Sequence, residues 1–211
     1  MIKAVLFDVD GVLLNSFEGN LRFFNFVIRN FGKKPMTRRQ YRQLYSTPSD
    51  KVFLHNFPEK NNKEMKEIIR YGSKVAPDFY KYIRINPGVI YTLEKLKKQG
   101  FRMGIVTNRK KMRILSYLSL NKYFKTKVGY LDVKNRKPYP EPIYLALKRM
   151  GVQPEEAVYV GDLLSDFQAA NKAGVKVIIY RNPKVGGDYN ISDFRKILKI
   201  IEGLNSKVVV F

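Results

Sequence analysis

The sequence contains no cysteine and a single histidine among its 211 residues. The lack of cysteine excludes disulfides, thiol nucleophiles, and zinc or iron–sulfur sites with cysteine ligands. One histidine leaves little room for a serine–histidine–aspartate triad or for a metal site built from several histidines. We therefore expect any catalytic chemistry to depend on carboxylates, hydroxyl groups and basic side chains.

Long hydrophobic runs are also lacking, although 45% of the residues are hydrophobic. The longest apolar stretches extend over only a few residues, whereas a membrane-spanning helix needs about 20. Residues 2–7 are typical of a β-strand and not of a secretion signal. We therefore expect a cytoplasmic protein without a membrane partner. Its length is sufficient for one α/β domain or for a core with a smaller insert.

Negative charge is scarce, because 18 acidic residues stand against 40 basic ones and give a net charge of +22. Such a charge attracts polyanions, including nucleic acids, and it also attracts small phosphorylated molecules. The basic residues occur throughout the chain, and runs such as 38–39, 97–98 and 109–111 are typical of solvated helix faces. The charge favours an anionic ligand without identifying it.

Short β-rich runs alternate with helical patterns along most of the chain. The β-rich runs lie at 2–7, 104–106, 128–130, 157–160 and 175–179, and the helical patterns lie at 88–99, 110–118, 140–150 and 166–173. This alternation predicts βαβ units and a parallel sheet. We therefore predict an α/β fold, a Rossmann-like parallel sheet flanked by helices, with its ligand at the carboxyl ends of the strands.

The segment 15–85 interrupts this alternation, because it contains helical patterns and no β-rich run. Phe17, Leu21 and Phe24 recur at the spacing of one helical face, and Thr37 begins a pattern typical of a helix-capping box. We predict a small all-helical cap inserted after the first strand. The predicted boundaries are 1–14 and 86–211 for the Rossmann-like core and 15–85 for the helical cap.

Two carboxylates, Asp8 and Asp10, follow the first predicted strand. If the strand continued, both side chains would lie on one face of it. Neighbouring carboxylates repel each other, so the pair favours a cation, and carboxylate oxygens are suitable ligands for Mg²⁺. A single aspartate at this position would indicate only a polar turn.

Three further polar groups follow later strands or precede a helix. Thr107 and Asn108 end one strand, Lys137 lies in a proline-rich loop before a helix, and Asp162 and Asp166 follow another strand. Each has an ordinary structural explanation when taken alone: a turn, one lysine among many, or the cap and first turn of a helix. Their order at successive strand ends indicates one shared site.

The four motifs together resemble those of the haloacid dehalogenase-like (HAD) hydrolase superfamily, and the resemblance covers nearly the whole chain. The stretches 8–16, DVDGVLLNS, and 161–170, GDLLSDFQAA, are similar to the first and fourth motifs of its phosphoglycolate phosphatase and β-phosphoglucomutase branch, which carries a helical cap. Val12 and Asn15 depart from the commoner Thr and Asp of that branch. Neither position is the nucleophile or a metal ligand.

The resemblance implies a HAD-type phosphatase that hydrolyses a small phosphorylated metabolite, a phosphate monoester, through an aspartyl-phosphate intermediate. Asp8 would be the nucleophile, and Asp10 would be the general acid and base. The implied cofactor is Mg²⁺, held by Asp8, by the backbone carbonyl of Asp10 and by Asp162. Asp166 would orient either Lys137 or a metal-bound water.

The resemblance also implies which groups bind the phosphoryl oxygens. These are Thr107 and Lys137, which belong to the catalytic set, and the backbone near Asn108 and Gly11. Substrate specificity is expected in the cap, in the turn near Ser46 and Lys51 and on the helix that carries Arg42. The branch there commonly has a glycine beside a lysine or arginine, which this sequence replaces by Ser46 and Thr47.

Two alternatives remain open. The first is a phosphomutase that uses the same chemistry. The second is a protein directed to nucleic acid, either a phosphatase acting on nucleic-acid ends or a basic nucleic-acid-binding protein. Asp10 favours phosphate esters, because related dehalogenases and P-type ATPases lack a carboxylate two residues after the nucleophile. We expect a small phosphorylated substrate, do not favour nucleic acid, and favour a monomer while leaving the oligomeric state open.

Overall fold

The computed structural model describes residues 1–45 and 47–206, and its strands follow the chain in this order. The strands are β1 (Ala4–Phe7), β2 (Leu14–Asn15), β3 (Arg84–Ile85), β4 (Arg102–Val106), β5 (Thr126–Val128), β6 (Ala157–Gly161), β7 (Lys176–Tyr180) and β8 (Tyr189–Ile191).

Helices occupy most of the remaining chain. The α-helices are α1 (Phe17–Asn30), α2 (Arg38–Leu44), α3 (Ser49–Asn56), α4 (Asn62–Val75), α5 (Val89–Lys98), α6 (Arg113–Tyr117), α7 (Glu141–Met150), α8 (Leu164–Lys172) and α9 (Lys196–Ser206). Short 3₁₀ helices lie at Ala76–Tyr82, Asn121–Tyr123 and Pro154–Glu156.

The chain divides into two compact units. The first comprises Met1–Leu14 and the chain from Ile85 onward, and the second is Asn15–Arg84. The two-residue strands β2 and β3 pair where the chain passes between the units. The assignment of the first unit as a catalytic core and of the second as a cap remains a prediction.

Within the described residues, six strands of the first unit form a parallel sheet in the order β5-β4-β1-β6-β7-β8. The central strands β1 and β6 are buried along their whole length, as is usual for a parallel sheet covered on both faces. This architecture confirms the predicted α/β, Rossmann-like fold.

The two faces of the sheet pack on different parts of the chain. On one face, Leu6 and Tyr159 belong to a core cluster that includes Ala146 of α7 and Ala169 of α8. On the other face, the ring of Phe7 contacts Phe194 and Phe124, with ring centroids 5.9 and 6.0 Å apart. Because alternate residues of β1 reach opposite faces, this one strand anchors both layers.

The differences from the sequence-based expectation concern short or irregular elements. Strand β8 was not predicted, because it is three residues long and has an asparagine at its centre. The helix expected over 110–118 comprises only Arg113–Tyr117, because the loop that follows β4 extends to Met112. A 3₁₀ helix continues α4 from Ala76, where Pro77 prevents a regular α-helix.

The second unit is helical, as the sequence predicts, and has its own aromatic core. Phe24, Tyr41 and Phe53 are buried there, and the rings of Phe24 and Phe53 meet edge to face with centroids 5.3 Å apart. Thr37 caps α2 with a complete capping box, as expected. The N-cap of α4 is Asn61, which accepts two backbone hydrogen bonds.

In the part of the chain that the structure describes, no helix combines the length and apolar character that crossing a bilayer would require.

The packing of β1 predicts a large loss of stability when Leu6 is shortened. Leu6 is fully buried, whereas Leu131 in the same unit is 75% exposed. We expect Leu6→Ala to lower the free energy of unfolding by about 2–5 kcal/mol and Leu131→Ala to change it by less than about 0.5 kcal/mol. Urea denaturation of both variants measures this difference, and equal effects would contradict the assigned burial of Leu6.

Candidate active site

The polar groups predicted from strand ends meet at one edge of the sheet. Asp8 follows β1, Thr107 follows β4, and Asp162 follows β6. Strand β1 lies between β4 and β6, and all three run parallel, so their carboxyl ends are neighbours. The crossover connections of the fold thus bring together residues that are far apart in the sequence.

Lys137 lies at the centre of this group and is buried. Its ammonium nitrogen Nζ donates to Oδ1 of Asp8 at 2.8 Å, to the hydroxyl of Tyr159 at 3.0 Å, and to Oδ1 of Asp166. A lysine ammonium has three protons, and each of them faces one of these acceptors. The position and direction of the Lys137 side chain are therefore fixed by three different elements.

Tyr159 belongs to this network, although nothing in the sequence pattern indicates a role for it. Its hydroxyl lies 2.9 Å from Oδ1 of Asp166 and 3.0 Å from the carbonyl oxygen of Val106, so its proton can be donated to either. Tyr159 lies in the β-rich run 157–160, and that pattern predicts a strand residue and no polar contact. The structure shows that its ring is buried while its hydroxyl reaches the site.

Asp166 holds the loop after β6 as well as Lys137. Its second oxygen, Oδ2, accepts the backbone N–H groups of Asp162 and Leu163 at 3.1 and 3.0 Å. The chain needs glycine at position 161, because a Cβ there would lie 2.3 Å from the Cβ of Asp166. Asp166 thus contacts Lys137, one of the two partners expected for it, and also holds the backbone of Asp162, while its role in catalysis remains a prediction.

Thr107 and Asn108 lie where β4 ends, close to the lysine loop. Thr107 is buried, and its backbone N–H donates to the carbonyl of Val128 at 3.0 Å. The side-chain amide of Asn108 donates to the backbone carbonyl of Lys137 at 3.1 Å. Asn108 therefore connects two of the predicted phosphate-binding segments through its side chain.

Asp10 forms an ion pair that the sequence interpretation missed. Both guanidinium nitrogens that face it, Nε and Nη2 of Arg109, donate to its two carboxylate oxygens at 2.9 Å each. The expectation that Arg109 lies on a solvated helix face is wrong, because it precedes α6 and its side chain is only 18% exposed. The only signal in the sequence was its position directly after Thr107 and Asn108.

The predicted specificity residues all belong to the second unit. Ser46 lies outside the described residues. Arg42 is exposed on α2, and Lys51 is exposed on α3. Their roles in substrate recognition remain predictions.

Comparison with known proteins identifies the family. The family model for haloacid dehalogenase-like hydrolases matches residues 5–180. The chain belongs to this family. The resemblance drawn from the four motifs is therefore confirmed, and the matched range contains every predicted site residue.

Relatives within the haloacid dehalogenase-like family include named phosphatases. Pyrophosphatase PpaX of Bacillus cereus is 32% identical over 180 residues, which is 83% of this chain and 81% of the relative. Phosphoglycolate phosphatase of Xylella fastidiosa is 32% identical over 185 residues, 84% of this chain and 79% of the relative. The prediction of a HAD-type phosphatase is confirmed at this level.

A solved structure from the same family confirms the fold over almost the whole chain. It is a HAD-superfamily hydrolase of subfamily IA from Geobacter sulfurreducens, which is 31% identical and has a TM-score of 0.78. The match covers 95% of this chain and 96% of that one.

Burial of several carboxylates in one place makes the site electrostatically unusual. Burial raises the pKa of Asp8 to about 6, and the charges of Asp166 and Asp10 add to this effect while Lys137 opposes it. Burial, Asp166 and Asp8 together raise the pKa of Asp162 to about 9. Burial alone would lower the pKa of Lys137, but the carboxylates of Asp166 and Asp8 outweigh it and raise that pKa well above its usual value.

The carboxylates have the composition of a site for a hard divalent cation. Asp8, Asp162 and Asp166 each offer an oxygen, and these oxygens lie within 4.8 Å of one another. Among the described residues, no donor contacts Oδ1 of Asp162, although this atom is buried. An unsatisfied buried carboxylate oxygen is costly without a cation, so the residues fit a metal ion such as Mg²⁺.

Gly11 is required beside this carboxylate cluster for steric reasons. A Cβ at position 11 would lie 2.1 Å from Oδ2 of Asp162, and the backbone there has a φ of +89°. Both the close approach and the positive φ favour glycine. The structure thus places Gly11 against Asp162, while its predicted contact with phosphate remains a prediction.

The raised pKa of Asp162 predicts a pH-dependent stability in the presence of a chelator. Above the usual pKa of an aspartate, the unfolded state has released the proton of Asp162, whereas the folded state still holds it. The stability of the folded state therefore falls as pH rises towards about 9. Asparagine does not titrate, so we expect the stability of Asp162→Asn relative to the wild type to rise as the pH increases from 5 to 8. The rise is at most about 1.4 kcal/mol per pH unit. Urea denaturation at several pH values measures this difference.

The exposed Asp78 supplies a matched control. Asp78→Asn should leave the pH dependence of stability unchanged. A constant stability difference between wild type and Asp162→Asn across this pH range would contradict the assigned burial of the carboxylate cluster.

Proposed function

We propose that the protein is a Mg²⁺-dependent phosphatase that hydrolyses a small phosphate monoester through a phosphorylated Asp8. The observation that carries this proposal is the buried Asp8, whose Oδ1 lies 2.8 Å from the ammonium of Lys137 beside the carboxylates of Asp162 and Asp166. A carboxylate that served only a structural role would not need two further carboxylates beside it.

In the first half-reaction, a carboxylate oxygen of Asp8 attacks phosphorus. A bond forms between this oxygen and phosphorus, and the bond to the leaving oxygen breaks. The Lys137 ammonium holds the nucleophile in place and offsets part of the negative charge that gathers when an anionic substrate approaches. Tyr159 and Asp166 fix Lys137 in turn, so this charge is positioned before the substrate arrives.

Asp8, the backbone of Asp10 and Asp162 would hold the metal ion, with Asp166 beside them. When bound, Mg²⁺ would cancel repulsion between the carboxylate nucleophile and the substrate phosphate. The buried Oδ1 of Asp162, which no donor contacts within the described chain, supports this assignment.

Asp10 would move the proton in both half-reactions. It gives a proton to the leaving oxygen as the phosphorus–oxygen bond breaks. A water molecule then attacks the phosphorus of the aspartyl phosphate and passes a proton to Asp10. Inorganic phosphate leaves, and both Asp8 and Asp10 return to their starting states.

Thr107, the backbone of Asn108 and Gly11 would contact the oxygens of the transferred phosphoryl group. They follow β4 and β1, whose carboxyl ends are neighbours in the sheet. Substrate choice would depend on Arg42, Ser46 and Lys51. The relatives named for pyrophosphate and phosphoglycolate support a small anionic substrate over a nucleic-acid end.

The role of Asp8 predicts that Asp8→Asn abolishes turnover, because an amide cannot serve as the nucleophile. We expect phosphate release from p-nitrophenyl phosphate with Mg²⁺ to fall by at least about 1,000-fold. Asp188, an exposed aspartate of the same unit, provides the control Asp188→Asn, which should keep wild-type activity. Substantial activity of a folded Asp8→Asn protein would refute the proposed nucleophile.

The same assay separates the proposal from its alternatives. Phosphate release from small phosphorylated metabolites and from an oligonucleotide with a terminal phosphate would be measured side by side. Preference for the oligonucleotide would favour the nucleic-acid alternative, and transfer of the phosphoryl group to a second sugar phosphate without phosphate release would favour a mutase.

Metal binding predicts a thermal shift that does not depend on activity. At a Mg²⁺ concentration of 100 times Kd, binding adds about 2.7 kcal/mol to the stability of the folded state, which corresponds to a Tm several degrees higher. We expect this shift in the wild type and its loss in Asp162→Asn. Differential scanning calorimetry measures the Tm of both proteins with and without Mg²⁺. An equal shift in both would contradict metal binding by Asp162.

A further inference from the structure

We propose that Arg109 is a positioning residue for Asp10, and that it orients the carboxyl group for proton transfer to the leaving oxygen. This inference rests on the proposed function, because it assigns a residue to the proton-transfer step of that reaction. It adds a residue to the site that none of the four sequence motifs indicated.

The contact between the two side chains is specific in its geometry. Nε of Arg109 lies 2.9 Å from Oδ2 of Asp10, and Nη2 lies 2.9 Å from Oδ1. This is a two-pronged arrangement, which fixes the plane of a carboxylate as well as its position. The two side chains are 18% and 23% exposed, so the pair is largely shielded from solvent.

The backbone of Arg109 is itself held in place by the site. Its N–H donates to Oγ1 of Thr107 at 3.2 Å, and its carbonyl accepts the N–H of Tyr130 at 3.2 Å. Gly129 allows this approach, because a Cβ there would lie 3.1 Å from the Arg109 carbonyl oxygen. The guanidinium therefore extends from an anchored backbone that also contacts the predicted phosphate-binding threonine.

Asp10 needs such a partner because of where it lies. It belongs to the turn between β1 and β2, where the next residue, Gly11, has a positive φ. Rotation about the last torsion of an aspartate is broad, so packing of the side chain alone does not fix the carboxyl plane. Nearby carboxylates such as Asp8 would also repel an unpaired Asp10, and the positive charge of Arg109 offsets this repulsion.

The ion pair is compatible with proton exchange at Asp10. A carboxylate offers about four lone-pair sites on its two oxygens, and a two-pronged arginine uses one on each. The proton that moves to the leaving oxygen, and later the proton from water, can thus be exchanged while the carboxyl plane stays fixed. The alternative is that Arg109 leaves Asp10 and binds the substrate directly, which predicts a different kinetic result.

Leaving groups of different basicity separate these possibilities. Phenyl phosphate releases a basic phenolate that needs a proton, whereas 2,4-dinitrophenyl phosphate releases a stable anion that does not. If Arg109 positions Asp10, then Arg109→Gln lowers kcat/KM for phenyl phosphate by about 10-fold or more beyond its effect on the dinitrophenyl ester. The ratio of the two values does not depend on the fraction of folded protein, so partial misfolding cannot produce this result.

Two further variants test the geometry. Arg109→Lys keeps the charge but cannot form the two-pronged contact, so we expect it to show the same leaving-group dependence as Arg109→Gln. Adding Arg109→Gln to Asp10→Asn should cause no additional change in the ratio, because the group that Arg109 orients is already lost. The control is Arg113→Gln, an exposed arginine at the start of α6, which should leave both kcat/KM values unchanged.

The outcomes distinguish this inference from the proposed function. Equal losses with both esters, or recovery of KM and of the ratio in Arg109→Lys, would overturn the positioning role and assign Arg109 to substrate binding or to general stability. If the wild type hydrolyses neither ester in the presence of Mg²⁺, the proposed function fails first. A selective loss with phenyl phosphate in both Arg109 variants supports the inference.

Discussion

The arrangement of the site depends on one ammonium group among buried carboxylates. Lys137 contacts Asp8 and Asp166 directly, and these carboxylates raise its pKa, so that the ammonium stays charged although it is buried. A buried charge is costly unless it is paired, and a buried carboxylate cluster is equally costly without a cation. The lysine and the two aspartates that it contacts therefore make each other's burial feasible, while burial raises the pKa of the candidate metal ligand Asp162 to about 9.

The fold could be predicted because parallel strands with buried faces give a simple sequence signal. Apolar runs such as the one that forms β6 alternate with helices. The parallel topology then places the carboxyl ends of the strands, and the polar residues that follow them, at one edge of the sheet. For that reason Asp8, Thr107 and Asp162 could be grouped from the sequence. Strand β8 could not be predicted, because its composition does not indicate a strand. It is a strand because it pairs with β7.

The missed site residues share a physical reason. Tyr159 has an apolar ring that fits a core strand, and the role of its hydroxyl depends on where Lys137 lies. Arg109 belongs to a basic run, and basic runs are usually solvated. Its contact with Asp10 depends on two loops that are 99 residues apart in the chain. Sequence patterns report periodicity along one segment, whereas these contacts arise between segments that meet only in the folded chain.

The separation between Asp8 and Lys137 also has a consequence for folding. They are 129 residues apart, and the strands that bring them together are themselves distant in sequence. Contacts of this kind form late, because the entropy of closing long loops must be overcome before they stabilise the chain. A nascent or partly folded chain thus has no assembled site, and catalytic competence should appear only when the central strands have paired.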